Sequence, residues 1–84
     1  MVIWKFTISP NVLPIMPKGA KLLSVGVQMG DPVMWAMVDP DAETEHRQIA
    51  VVPTGHMHVP DNHAFVGTFQ LPDGLVFHVF DRLD

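Results

Sequence analysis

Hydrophobic positions along this chain recur with period two, the spacing of strands rather than helices. The clearest case is Lys21 to Met29. Leu23, Val25, Val27 and Met29 fall on one face, and Leu22, Ser24, Gly26 and Gln28 on the other. Gly26 marks a bulge or the close approach of an aromatic ring. Gly30-Asp31-Pro32 then turns the chain into Val33-Met34-Trp35-Ala36-Met37-Val38, six apolar residues closed by Asp39-Pro40. A run this short, with proline at either end, cannot extend as a helix and predicts a strand buried on both faces. It is the centre of the predicted fold.

Other segments fit around it. Val2 to Ile8 places Trp4, Phe6 and Ile8 on one face, with Lys5 and Thr7 opposite, as in a half-buried strand. Residues 64–71 put Phe65, Gly67, Phe69 and Leu71 on one face. After Pro72-Asp73-Gly74 the chain returns, with Val76, His78 and Phe80 opposing Leu75, Phe77 and Val79. Asp-Gly between alternating segments predicts a hairpin. Ser9 to Lys18 carries prolines at 10, 14 and 17 and reads as irregular extended chain laid along an edge, ending in the turn Pro17-Lys18-Gly19-Ala20.

The single credible helix start is Asp39-Pro40-Asp41, with a capping carboxylate, proline in the first position and acids in the first turn. The β-branched residues up to Val52 argue against a long helix. An acidic loop or one helical turn is expected, then a strand from about 45 to 52. The sum is an all-β chain, or mostly β with one short helical turn. Five to six strands built from hairpins would form a small antiparallel barrel or two-layer sandwich.

Length makes this one domain over residues 1–84 with a thin core, burying about 60–65% of the unfolded surface. The apolar fraction of 48% is ample for folding. No cysteine is present to form a disulfide or thiolate metal site, so a homodimer interface is a reasonable source of extra stability. Net charge is −4, and five basic residues form no stripe, which argues against direct nucleic-acid binding. No secretory signal or membrane-length apolar run is visible, so a cytoplasmic protein is expected. Six methionines are many for this length. Met29, Met34 and Met37 are expected in the core, and Met16 and Met57 in loops as an adaptable apolar surface.

Candidate chemistry is sparse. His56, His58 and His63, with Asp61 nearby, form the one polar constellation, and His56-x-His58 on extended chain would point both rings one way. Such a set could ligate zinc or another divalent metal, with His78 as a fourth ligand if the fold brings it there. A solvated polar loop is the simpler reading. No catalytic residue is assigned: cysteine is absent, and neither Ser9 nor Ser24 sits in a nucleophile elbow. Asp39, Asp41, Glu43 and Glu45 read as a solvated acidic face suited to a basic protein partner rather than an acid/base pair.

Trp4-Lys5-Phe6, Met16-Pro17-Lys18-Gly19-Ala20-Lys21, Trp35-Ala36-Met37-Val38-Asp39-Pro40, Thr54-Gly55-His56, Gly67-Thr68-Phe69-Gln70 and Val76-Phe77-His78-Val79-Phe80 span nearly the whole chain. Together they resemble a family of small uncharacterised proteins encoded by bacteriophages and prophages, a domain of unknown function. The resemblance implies a phage accessory protein made inside a bacterial cell, and such proteins often bind a host or defence protein. The expected function is a non-enzymatic protein-binding module with no cofactor, which could inhibit a host or anti-phage defence protein. The alternatives are a metal-binding protein using His56, His58 and His63, and a structural or assembly protein of the phage.

Overall fold

A computed structural model describes residues 1–55 and 58–83. Among them are eight strands and no helix: β1 (Val2–Thr7), β2 (Ile15–Pro17), β3 (Lys21–Gln28), β4 (Asp31–Val38), β5 (Thr44–His46), β6 (Ile49–Pro53), β7 (His63–Gln70) and β8 (Val76–Arg82). They form three small antiparallel sheets, ordered β1-β4-β3, β2-β5 and β6-β8-β7. The arrangement is sandwich-like, and no barrel closes.

β4 is the central strand of the first sheet, as its apolar run predicts. Met34, Ala36 and Val38 point inward and are fully buried, and Val33 on the other face is also buried. β8 is central in the β6-β8-β7 sheet. Met34, Ala36 and Val38 of the first sheet and Phe69 and Val79 of the β6-β8-β7 sheet meet in one core, joined by Met16 of β2 and by Ile8 and Ala20 just outside the strands. Phe69 and Phe77 stack across the β7–β8 pair with ring centroids 5.5 Å apart.

The β3–β4 hairpin is tighter than expected. Gln28 pairs with Asp31, so Met29 and Gly30 alone make the turn. Both have positive φ, 50° and 82°. That is the two-residue geometry whose twist matches the flanking strands. It throws the Met29 side chain into solvent rather than into the core. A register shift between Leu22 and Ser24 likewise breaks the alternation of β3 and leaves Leu23 exposed. Gly26 sits under the indole of Trp35, where a Cβ would lie 3.1 Å from the ring. Gly67 packs as tightly on Val25, joining β7 to β3.

The middle of the chain differs from expectation, which raises the strand count from five or six to eight. Asp39 starts no helix; its carboxylate accepts the Asp41 N–H at 3.0 Å and its carbonyl accepts the Ala42 N–H at 3.1 Å. Those bonds close a turn. The expected strand over 45–52 is two strands, broken at Arg47-Gln48. β5 pairs with β2, and β6 pairs with β8. Met16 and Pro17 of β2 are fully buried, so this methionine is core and not surface.

Arg47 holds the break together. Its Nε and Nη2 donate to the two carboxylate oxygens of Asp81 at 2.9 and 2.8 Å, and Nη1 donates to the Ala20 carbonyl at 2.7 Å. One planar fork thus ties the β5–β6 bend to β8 and to the start of β3.

Candidate interaction surface

The acidic turn is tied to the β2–β5 pair by backbone bonding. The Lys18 N–H donates to the Glu43 carbonyl at 2.7 Å, carrying the β2–β5 pair into the turn, and the Arg47 N–H donates to the Pro14 carbonyl at 2.8 Å at the far end of that pair. Asp39, Asp41 and Glu43 are exposed and Glu45 is half-buried. Lys18 Nζ reaches Glu43 at 3.3 Å, with both side chains mostly in water. Such a pair adds little stability. The expected acidic face therefore consists of three exposed carboxylates on one turn, with Glu45 set back.

The histidines are dispersed in role. His56 lies outside the described residues, and His58 is exposed. His63 donates from Nδ1 to the Asp61 carbonyl at 2.8 Å. His78 is held on the outer face of the β6-β8-β7 sheet between two hydroxyls, Thr54 at 2.8 Å from Nε2 and Thr68 at 2.9 Å from Nδ1. Both nitrogens of His78 are engaged as a cross-strand bridge. Among the described residues, no group of three His, Asp or Glu side chains is placed to hold a metal ion.

A cleft of about 480 Å³ opens between the sheets, lined by Ile8, Pro32, Val51, Phe69, Leu71 and Phe77 among others. Its described lining has no titratable side chain. It can take apolar groups, with Ser9 and Asn11 as its polar side chains.

The feature that sequence reasoning missed is the outer edge of β1. Ile8 N–H donates to the Pro32 carbonyl at 3.0 Å, so residue 8 points its backbone groups toward β4. Backbone direction alternates along a strand, so Phe6, Trp4 and Val2 also point inward. The N–H and C=O groups of Ile3, Lys5 and Thr7 point to the outer side of β1, where no strand pairs among the described residues. Apolar side chains flank them: Val2 is 42% exposed, Ile3 61% and Trp4 41%. Val2 and Trp4 face inward yet stay half in water, because β1 is the last strand of its sheet.

Edges normally carry a guard such as proline, a bulge, a cover or several charges. β3 and β7 carry bulges and lie against each other. β6 is short and ends in Pro53. β1 runs six residues in unbroken register with β4, with one charge, Lys5, and no proline. A sign of this is present in the sequence: Ile3 and Trp4 are adjacent, so both faces of the strand are apolar.

Fold and surface together define a class, a small sandwich-like all-β domain whose six-residue end strand β1 lies beside an exposed acidic turn. The chain belongs to the family described as a domain of unknown function, DUF7352, which matches residues 1–84. Nothing in that match links the family to bacteriophage. No curated protein and no solved structure matches the chain. No helix among the described residues is long and apolar enough to cross a membrane.

Proposed function

We propose that this chain is a non-enzymatic protein-binding module, and that its binding surface is the open edge of β1. The observation that carries the reading is the row of outward backbone groups at Ile3, Lys5 and Thr7, flanked by exposed Val2, Ile3 and Trp4. Strand addition to such an edge draws affinity from main-chain hydrogen bonds and specificity from alternate side chains. The acidic turn adjoins it, because Val38 pairs with Val2 and Asp39 follows directly. A partner on the edge with a basic flank would meet Asp39, Asp41 and Glu43, with Glu45 behind them. The resemblance to phage and prophage proteins suggests a setting in the bacterial cytoplasm and a host or defence protein as target.

The test is affinity capture from bacterial lysate, followed by binding measurements on the purified partner. Ile3→Pro removes a donor that faces outward, so β1 keeps its bonds to β4. Asp41→Lys with Glu43→Lys reverses the turn. Each variant should keep the wild-type circular dichroism spectrum and lose at least about tenfold in affinity, or about 1.4 kcal/mol. Unchanged affinity in both would refute the reading.

A further inference from the structure

We infer that a second copy of this chain occupies the β1 edge, pairing antiparallel about a two-fold axis at Trp4 to make one six-stranded sheet. The inference rests on the protein-binding reading and names the occupant. Backbone geometry limits the registers. Ile3, Lys5 and Thr7 carry the outward groups, so a symmetric pairing must set these residues against one another. Lys5 opposite Lys5 would place like charges face to face, which is unfavourable. Ile3 opposite Ile3 is allowed, but it shortens the overlap and sets the second copy's Trp4 against Val2. Lys5 opposite Thr7 also separates the lysines, but it overlaps only residues 5–7 of β1. Ile3 opposite Lys5 avoids these costs. It gives two hydrogen-bonded pairs related by the axis, with the two lysines apart.

In that register the Trp4 residues of the two copies face each other at the axis, in the pair without direct backbone bonds, where side chains approach most closely. Val2 of each copy meets Phe6 of the other. These are the inward-facing residues that β1 leaves uncovered at the edge: Trp4 is 41% and Val2 42% exposed, and Phe6 is half-buried. The second copy thus covers the side chains that an end strand cannot bury. The acidic turns lie beyond the two ends of the new strand pair, which keeps the negative charges of the copies apart.

The experiment combines solution mass with a cross-link. The natural chain has no cysteine. Trp4→Cys therefore carries a single thiol, placed at the axis opposite its own copy. Under mild oxidation it should form a disulfide-linked dimer. Leu23→Cys, on the bulged strand of the same sheet, should do so far less. Light scattering should give twice the chain mass for the wild type. Ile3→Glu places a carboxylate opposite the other copy's Lys5, and Ile3→Lys places an ammonium there. The lysine variant should dissociate about tenfold more readily than the glutamate variant, because two symmetric pairs change sign.

A monomeric wild type whose Trp4→Cys form cross-links no faster than Leu23→Cys overturns the inference. So does a dimer in which Ile3→Glu and Ile3→Lys dissociate alike, since another surface then holds it. If the wild type is monomeric but a captured partner is lost on Ile3→Pro, the second copy is refuted and the protein-binding reading stands. A monomeric wild type whose captured partner binds Ile3→Pro with unchanged affinity refutes both.

Discussion

Removing Arg47 should cost more stability than removing any other charged side chain described here. In Arg47→Ala, the Asp81 carboxylate loses two hydrogen bonds of 2.9 and 2.8 Å and the Ala20 carbonyl loses one of 2.7 Å. Each side chain of the ion pair is only 18% exposed, so water restores little of what is removed. Hydrogen bonds to charged groups contribute about 1.5–3 kcal/mol, and breaking a fully buried ion pair costs about 3–5. The residual exposure favours the lower end, about 3 kcal/mol. Unfolding entropy near 2.1 cal/mol/K per residue over 84 residues turns that into a fall in Tm of about 17 °C.

Thermal unfolding followed by circular dichroism measures it. Arg47→Lys should recover less than half of the loss, because an ammonium cannot serve the fork. A double-mutant cycle with Asp81→Asn should give a coupling energy of about 2 kcal/mol. A total loss below about 1 kcal/mol, or no coupling, would refute the reasoning that this fork joins the three sheets.

Three further substitutions probe other parts of the fold. Met29→Asn keeps a fully exposed turn position but suits its positive φ better, and should raise stability by about 0.5–1 kcal/mol in chemical denaturation. Gly67→Ala puts a Cβ 2.8 Å from the Val25 methyl and should cost about 1–3 kcal/mol; adding Val25→Ala should recover part of it in the same assay. Met34→Ala empties a fully buried core site and should cost about 2–5 kcal/mol, read from the shift in denaturation midpoint.

Much of the strand pattern was legible because alternation is local. Trp4, Phe6 and Ile8 share a face, β4 is central, and residues 63–82 form a hairpin, all as their residue order implies. Gly26 under Trp35 was also legible, since a glycine in a strand signals a missing side chain. The misses are non-local. Met29 looked like a core residue until the turn contracted to two positions and set it at the tip. Met16 looked like loop until β2 found β5. Arg47 had no visible role because Asp81 lies 34 residues away. The place of His78 between Thr54 and Thr68 is non-local in the same way, since those residues lie 24 and 10 positions away. The acidic turn was legible as an exposed patch, whereas the open edge of β1 depends on which strand ends the sheet.

The most direct test of the account is residue-resolved amide exchange along β1, in dilute solution, in concentrated solution and with the captured partner. Trp4, Phe6 and Ile8, bonded to β4, should exchange slowly throughout. Ile3, Lys5 and Thr7 should exchange fast when dilute and become protected once a partner strand, second copy or target, is seated. Protection of Ile3, Lys5 and Thr7 at a dilution where light scattering gives the mass of one chain would mean that the chain itself covers the edge. Fast exchange under every condition would mean that no protein binds there. Either result would contradict the central claim.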